Sequence, residues 1–245
     1  AIMHHHDPPW QRDHFAHVTN LPPDDDRWLH VTINDLTRRQ MAERSITATT
    51  IRNGFGTNPP GGDRQSTRDR LGLSADDLLV VHPVRAIPRK AVGRAVAIAE
   101  ELDATYWLLG PAEDDYGPEL ARELAAARCP VIHAPLADRA DIYAAADVVA
   151  FPSTWEGFGN PPVEASLAMR PVVVGGYPVV HELKGLGFSW FDADDLGSLR
   201  AWLVSPPDSR EDLLAANRAV AVRELSLDRM ADRLESLLFT AGWLP

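Results

Sequence analysis

The sequence predicts an α/β protein whose main part is a doubly wound parallel sheet, joined to part of a second α/β domain. From about residue 78 onward, short apolar runs rich in β-branched residues alternate with amphipathic stretches of helix length. The apolar runs are not interrupted by polar residues, which is typical of parallel strands covered on both faces. Regular alternation of strands and helices implies right-handed crossovers and helices on both sides of the sheet.

The predicted elements of the main part follow one another in a regular order. Strands are predicted at residues 78–83, 105–109, 131–132, 148–151 and 171–175, and helices at 90–102, 118–127, 137–146 and 161–169. Segments 179–184 and 188–191 continue the alternation. Because ligands bind beyond the carboxyl ends of the strands in such sheets, a functional site is expected in the loops that follow the strands.

Residues 1–62 have a different pattern. Two predicted strands, at 28–33 and 49–51, flank a predicted helix at 35–44, and the Pro- and Gly-rich stretch at 58–62 is typical of a linker. Since this is only part of an α/β domain, we expect the earlier part of that domain to be missing. The predicted organisation is a partial domain with its linker at 1–62, a doubly wound domain at 63–225, and a carboxyl-terminal helix within 226–245 that packs back on the domains.

The carboxyl-terminal helix is predicted to pack into a core. Its apolar residues recur at helical spacing and form one face. They are Leu227, Met230, Leu234, Leu237 and Leu238.

The composition is that of an acidic soluble globular protein. Hydrophobic residues make up 45% of the chain and charged residues 24%, and the formal net charge is −11. This charge argues against non-specific binding to nucleic acid or anionic membranes, and no apolar run is long enough to span a bilayer. Cys129 is the only cysteine, which excludes an internal disulfide and suits a reducing compartment. We therefore expect a cytoplasmic protein with no membrane span and no nucleic-acid partner.

The most informative segment is residues 155–164, with the sequence Trp-Glu-Gly-Phe-Gly-Asn-Pro-Pro-Val-Glu. Its glycines allow a ligand to approach the backbone, and its adjacent prolines are tolerated in the first turn of a helix. The remaining N–H groups of that turn suit an oxygen-rich anion, while Glu156 and Glu164 can accept hydrogen bonds from hydroxyl groups. The segment therefore predicts a site for a phosphorylated, polyhydroxylated ligand such as a nucleotide sugar. Acidic residues at a helix start also stabilise it by ~0.3–1 kcal/mol without any function, so this interpretation needs other residues.

A pair of cations follows the first strand of the main part. Arg85 follows that strand, and Lys90 lies five residues later, at the predicted start of a helix. Arg offers a planar fork for phosphate oxygens and Lys a mobile point charge, so both head groups could converge above the sheet. The alternative interpretation of the pair is a solvated basic turn. Because Gly110, His133 and residues 154–160 also follow predicted strands, all these residues are expected at one edge of the sheet.

The segment His-His-His-Asp at residues 4–7 raises the question of a metal site. Adjacent histidines point in divergent directions, and their spacing is not diagnostic of a metal ligand set. The histidines could also be the remains of a purification tag, although residues 7–12 look like native sequence. We therefore predict no metal site.

Taken in order, these residues resemble the retaining glycosyltransferases of the GT-B fold, in the large group 1 (family 4) class. The Rossmann-like carboxyl-terminal domain of that family carries an Arg, a Lys five residues later, and a Glu-Gly-Phe-Gly segment followed by a second Glu. Residues 51–54 resemble the family's Asn-Gly before the linker, and His6 with Asp7 resembles its His-Asp after an amino-domain strand. The other matching residues are Arg85, Lys90, Glu156, Gly157, Phe158, Gly159 and Glu164.

The chain departs from the family pattern at two places. Ala91 stands where the family usually has Gly after the Lys, and we expect this difference to alter only how the helix begins. The glycine-rich phosphate loop that the family carries early in its first domain is absent from the chain.

The resemblance implies a role for each matched residue. Arg85 and Lys90 would bind the donor diphosphate and stabilise it as leaving group, and Glu164 would accept hydrogen bonds from the ribose hydroxyls. His6 would approach the sugar from the facing domain, and His133 would border the nucleobase. The expected catalytic residues are Arg85, Lys90, Glu156 and His6. The transferred sugar would be held by Glu156 with the backbone of Gly157, Phe158, Gly159 and Asn160.

The resemblance thus predicts an enzyme that moves a sugar from a nucleoside-diphosphate sugar to an acceptor hydroxyl with retention of configuration, and without a metal or another cofactor. Residues 1–62 would belong to the acceptor side and residues 63–225 would bind the nucleotide sugar. The donor base, the acceptor and the oligomeric state stay open. One alternative is a non-catalytic nucleotide-sugar-binding module. The other is a glycoside hydrolase, which also uses paired carboxylates but has no need of the cationic pair.

Overall fold

The computed structural model describes residues 1–11, 15, 17, 18, 21, 23–58, 61–135 and 138–244 of the 245-residue chain. Its strands form two parallel sheets. The smaller sheet has the order β1-β2-β3 and consists of Ile2–His5, Leu29–Thr32 and Ala48–Thr50. The larger sheet comprises β4 (Leu79–His82), β5 (Thr105–Leu108), β6 (Val131–His133), β7 (Val148–Phe151), β8 (Val172–Val174) and β9 (Phe191–Asp192).

The order of the larger sheet is β6-β5-β4-β7-β8-β9, with every pair parallel. The chain therefore starts in the middle of the sheet, builds outward through β6, and then returns to build outward through β9 on the other side. The order reverses between β4 and β7, and such a switch point opens a crevice at the carboxyl ends of these two strands. This topology confirms the predicted doubly wound sheet.

Ten helices are described, together with 3-10 turns at Pro9–Gln11 and Pro88–Lys90. Helix α1 (Asp35–Ala42) lies between strands of the smaller sheet, and α2 (Arg64–Arg70) precedes the larger one. The others are α3 (Val92–Glu101), α4 (Gly117–Ala126), α5 (Arg139–Ala145), α6 (Asn160–Leu167), α7 (Pro178–Lys184), α8 (Leu196–Leu203), α9 (Pro207–Leu225) and α10 (Leu227–Thr240). Within the described residues, no helix combines the length and apolar character needed to cross a membrane.

The central strands are buried on both faces, which explains their uninterrupted apolar sequences. Val80 and Val81 of β4 face Val148 and Val149 of β7 in register, and all four are 0% exposed. Each buried Val side chain stabilises the fold by ~1.5–3 kcal/mol relative to an exposed one. The switch point is thus built on the most buried part of the sheet.

Several predicted boundaries differ from the structure. The helix predicted from residue 90 begins at Val92, because Lys90 ends a 3-10 turn and Ala91 takes a left-handed conformation with φ 52°. The strand predicted at 188–191 is limited to Phe191–Asp192, since Phe188 and Trp190 stack on each other in the core at 4.4 Å. The start predicted for the next helix, residue 137, lies outside the described residues, and α5 begins at Arg139 with Asp138 as its N-cap.

The segment after β3 connects the smaller sheet to the carboxyl-terminal helices. Phe55 N donates to Leu225 O at 2.8 Å, and Leu227 N donates to Phe55 O at 3.0 Å. A Cβ on Gly54 would lie 2.9 Å from Met230 Cβ, so this close approach of α10 requires glycine.

Helix α10 is a surface helix. None of its residues is buried, and Leu227 is 52% exposed. In the part of the molecule that the structure describes, its apolar face is half-buried against its neighbours and supplies no buried core residue.

Candidate active site

A buried carboxylate between two cations lies at the switch point. Glu156, in the loop after β7, accepts from Lys90 Nζ at 2.5 Å through Oε1 and from Arg89 Nη1 at 2.7 Å through Oε2. Lys90 is 8% exposed and Glu156 is 6% exposed. Because a lone buried charge is costly, these three side chains stabilise one another as a group. We call Arg89, Lys90 and Glu156 the Glu156 cluster.

The turn after β4 brings the two cations to this position. Pro88 begins the 3-10 turn with a fixed φ, and Ala91 ends it in the left-handed region. The ammonium of Lys90 lies 4.8 Å from the ring centroid of Phe151, the last residue of β7, which is within cation–π range. Since β4 and β7 are neighbours in the sheet, their two following loops deliver the cluster to one place.

Burial dominates the electrostatics beneath the cluster. It lowers the pKa of Lys90, while Glu156 opposes the shift and the nearby arginines add to it. Burial, followed by the charge of Lys90, lowers the pKa of His82 to about 3. His82 Nδ1 lies 2.8 Å from the Tyr106 hydroxyl. A neutral His82 therefore lies beneath the cluster near neutral pH.

The second glutamate is held mainly by hydrogen bonds from α5. Glu164, in α6, accepts from Arg139 Nη1 at 2.8 Å through Oε1 and from the Tyr143 hydroxyl at 2.6 Å through Oε2. Tyr143 is buried, and burial, with a further contribution from Glu164, raises its pKa well above the usual value. Tyr143 thus stays a hydroxyl donor that fixes the direction of the carboxylate.

The two glycines between these glutamates are required by close contacts. A Cβ on Gly157 would lie 2.8 Å from His6 O and 2.9 Å from Asp7 Oδ1. Gly159 has φ 102°, and its Cβ would lie 2.4 Å from the buried Tyr177 hydroxyl. Both positions therefore need glycine for space, and Gly159 needs it for its conformation as well.

Loops of the smaller sheet close over this segment. Asn34 Nδ2 donates to Gly157 O at 2.6 Å, and Asn53 Nδ2 donates to Asn160 Oδ1 at 3.0 Å. The amino-terminal part of the chain thus forms one wall of the site.

Two adjoining cavities lie along these residues. The first, of about 350 Å³, we call the Arg85 cavity; its lining includes Arg85, Gly110, Pro135, Arg139, Tyr143 and Glu164. The second, of about 230 Å³, we call the Lys90 cavity; its lining includes His6, Asp7, Arg89, Lys90, Glu156 and residues 157–159. Asn160 and Pro161 line both, so the cavities meet at the start of α6. A larger cavity of about 810 Å³ lies against the linker and contains only Glu164 of the predicted site residues.

The structure thus brings most of the predicted site residues to one edge of the sheet. Lys90 and Glu156 form an ion pair, and His6 lines the same cavity. Phe158 is 4% exposed and stacks on Phe55 at 6.2 Å, so its side chain supports the segment from below.

Two predicted residues are placed differently from the rest. Arg85 lines its cavity together with Glu164, but its guanidinium pairs with Glu113 at 2.6 Å, and the two side chains are 58% and 39% exposed. His133 is exposed and lines neither of the two cavities. Its Nε2 lies 2.9 Å from the carbonyl of Gly110, which does line the Arg85 cavity.

The family model for glycosyl transferases group 1 matches residues 85–218, more than half of the chain. The chain belongs to the group 1 glycosyltransferases. The matched range begins at Arg85 and includes the Glu156 cluster and Glu164. Membership therefore confirms the family resemblance seen in the motifs.

The chain is also similar in sequence to curated proteins. This glycosyltransferase chain is 28% identical to a mannosylglucosylglycerate synthase of Petrotoga mobilis, over 76% of the chain and 55% of the relative. It is 34% identical to a D-inositol 3-phosphate glycosyltransferase of Xylanimonas cellulosilytica, over 69% of the chain and 43% of the relative. The chain thus spans about half the length of the curated relatives it matches.

Solved structures share the fold. The Anabaena protein HepE, crystallised in complex with UDP-glucose, superposes with a TM-score of 0.75 at 22% identity, over 86% of this chain and 64% of that one. A glycosyltransferase from Rickettsia africae gives a TM-score of 0.73 at 14% identity, over 91% and 68% of the two chains. These likenesses confirm the predicted GT-B fold.

Several residues of the candidate site were not predicted from the sequence. Arg89 pairs with Glu156, Glu113 pairs with Arg85, and Arg139 and Tyr143 hold Glu164. A signal was available for the last two, since they lie four residues apart on one face of a helix that follows a strand. Arg89 directly precedes Lys90, and only the path of the turn shows that both reach Glu156.

Proposed function

We propose that this protein transfers a sugar from a nucleoside-diphosphate sugar to an acceptor hydroxyl. The observation that supports the proposal is the meeting of the two cavities at Asn160 and Pro161, with cations and carboxylates on their walls. A nucleotide sugar likewise has two ends, a polar nucleoside and a sugar, which a dianionic diphosphate joins. Family membership supports the same activity.

The proposed donor lies across both cavities. Its nucleoside occupies the Arg85 cavity, where Glu164 accepts hydrogen bonds from the ribose hydroxyls. Its sugar occupies the Lys90 cavity beside Glu156, with His6 on the opposite wall. Arg85 and Lys90 flank the diphosphate between them. The relatives' structures support a uridine donor as the first one to test, because HepE was solved with UDP-glucose.

The proposed chemistry depends on charge that develops in the transition state. As the bond between the anomeric carbon and the diphosphate oxygen breaks, its electron pair moves to the leaving diphosphate and the sugar gains oxocarbenium character. The cations of Arg85 and Lys90 stabilise that leaving group more than they stabilise the intact donor. The acceptor hydroxyl then bonds to the anomeric carbon and passes its proton to an oxygen of the leaving diphosphate.

We further propose retention of configuration, no metal requirement and a cytoplasmic location. Retention follows the class of enzymes that the motifs resemble, and NMR of the product anomer tests it. Metal independence is supported by the protein cations beside the proposed diphosphate, and unchanged turnover in a chelator tests it. The single cysteine supports the location, which cell fractionation tests.

The first test is titration calorimetry of the chain with uridine, guanosine and adenosine diphosphates. We expect one of them to bind, and we expect Arg85→Ala to weaken that binding. In turnover, Arg85→Ala should cost ~2–5 kcal/mol in kcat/KM, the range for removing one partner of a close charge pair. Arg128→Ala, which removes an 83% exposed arginine side chain elsewhere, serves as the matched control. Near-native turnover of Arg85→Ala would contradict the assignment.

Acceptors to test include D-inositol 3-phosphate, the compound in the name of a curated relative. Transfer is measured as release of nucleoside diphosphate that depends on the acceptor. Diphosphate binding without any transfer would support the alternative of a nucleotide-sugar-binding module. A glycoside hydrolase is disfavoured because both oxygens of Glu156 are engaged by cations, and it should not bind nucleoside diphosphates.

A further inference from the structure

We propose that Arg89 is a positioning residue that keeps Glu156 paired with a cation while Lys90 turns from Glu156 to the diphosphate of the donor. The proposal rests on the proposed function, since it assumes a diphosphate beside Lys90.

Glu156 carries one cation on each carboxylate oxygen. Lys90 Nζ holds Oε1 at 2.5 Å, and Arg89 Nη1 holds Oε2 at 2.7 Å. Within the ranges that the structure describes, no other Lys, Arg or His nitrogen lies within 4.0 Å of this carboxylate. The carboxylate therefore has two cations where one would satisfy its charge.

The two cations differ in how firmly they are held. Arg89 Nη1 also donates to Trp155 O at 2.9 Å, and the Arg89 carbonyl accepts from Thr154 N at 2.9 Å. Arg89 is thus tied to the loop after β7 by its side chain and its backbone. The one described hydrogen bond of the Lys90 ammonium goes to Glu156. A lysine ammonium on a flexible stem can turn to a new partner, whereas this guanidinium is fixed to the loop.

Donor binding would set the diphosphate and Glu156 in competition for Lys90. If Lys90 were the sole partner, turning it to the diphosphate would leave a buried carboxylate uncompensated, which is strongly unfavourable. Because Arg89 stays on the other oxygen, Lys90 can engage the diphosphate without that penalty. Without Arg89, Lys90 should remain on Glu156 and diphosphate affinity should fall.

A double-mutant cycle on binding of uridine diphosphate tests this dependence. The four proteins are the wild type, Arg89→Gln, Glu156→Gln and the double variant, each measured by calorimetry after its fold is checked by circular dichroism. We expect Arg89→Gln to weaken binding by about tenfold or more. In the double variant the competing carboxylate is neutral, so affinity should return to within about threefold of the Glu156→Gln value.

The double variant separates positioning from a merely structural role. If Arg89 only supported the loop through Trp155 O, removing the charge of Glu156 would not restore affinity. Equal losses in Arg89→Gln and in the double variant would therefore overturn the proposal, as would wild-type affinity in Arg89→Gln. Arg89→Lys retains a cation beside Glu156, so it should bind uridine diphosphate more tightly than Arg89→Gln. It provides a second test of the proposal if Arg89→Gln folds poorly.

The wild-type measurement separates this proposal from the proposed function. If the wild type binds none of the three nucleoside diphosphates, the proposed function fails, and the role of Arg89 fails with it. If the wild type binds one of them and the cycle shows no coupling, the role of Arg89 alone is wrong. If guanosine or adenosine diphosphate binds more tightly than uridine diphosphate, it replaces uridine diphosphate as the probe in the cycle.

Discussion

The two glutamates of the site, eight residues apart in the chain, are held in different ways. Glu156 is 6% exposed and lies between two cations, of which Lys90 is itself buried. Glu164 has a buried hydroxyl on one oxygen and a guanidinium from a 78% exposed arginine side chain on the other. Solvent screens the second pair far more than the first. The difference indicates that Glu156 depends on charge balance and Glu164 on orientation.

Removing each carboxylate in turn tests most directly whether the two glutamates are held differently. Glu156→Ala leaves Lys90 and Arg89 without their common partner, so we expect the free energy of unfolding to fall by ~3–5 kcal/mol. Glu164→Ala leaves an exposed guanidinium and one buried hydroxyl, so we expect a loss of ~1–2 kcal/mol. Urea denaturation of both variants measures the two values. Equal losses would show that the two glutamates are not held differently.

Acid should lower the free energy of unfolding through the buried histidine beneath the Glu156 cluster. Burial, followed by the charge of Lys90, lowers the pKa of His82 in the folded protein to about 3 from its usual value of 6.5. Between those values the unfolded state binds more protons, so the contribution of His82 to stability is fully present above pH 6.5 and is lost as pH falls toward 3. From pH 7 to pH 5 we expect a loss of about 2 kcal/mol from this residue.

The measurement is the free energy of unfolding against pH for the wild type and for His82→Asn. The variant should show a flatter dependence between pH 7 and pH 5. His181→Asn changes an exposed histidine and should leave the slope of the wild type unchanged. A wild-type slope in His82→Asn would contradict the assignment.

The orientation of Glu164 can be tested without removing its charge. Tyr143→Phe deletes the hydroxyl that donates to Oε2, so we expect donor KM to rise by a factor corresponding to ~1 kcal/mol, with little change in kcat. Arg139→Ala deletes a mostly exposed partner and should cost ~0.2–1 kcal/mol. Steady-state kinetics with varied donor gives both values. A larger effect from Arg139 would mean that charge, not orientation, dominates at Glu164 too.

The fold could be predicted because its signals are local in the sequence. The runs that became β4 and β7 are apolar at every buried position except His82, and this is visible without any knowledge of their neighbours. Lys90, Glu156 and Glu164 could be placed at one edge because the carboxyl ends of parallel strands share that edge.

The pairings within the site could not be predicted in the same way. Two ion pairs, Arg89 with Glu156 and Arg85 with Glu113, depend on turn geometry and on contacts between distant segments. The half-buried face of α10 shows a related limit, because helical spacing of apolar residues does not reveal how deeply they are covered.

The smallest expected effect concerns Ala91, which ends the turn that holds the Glu156 cluster and has φ 52°. A left-handed alanine costs roughly 1–2 kcal/mol, whereas glycine adopts this conformation freely but adds about 0.4–1 kcal/mol of unfolded-state entropy. Ala91→Gly should therefore raise the free energy of unfolding by about 0.5 kcal/mol and leave donor binding unchanged. Ala97→Gly, the same substitution at an exposed position of α3, should lower it by about 1 kcal/mol. If both variants lose stability in thermal unfolding, the left-handed conformation of Ala91 is not a source of strain.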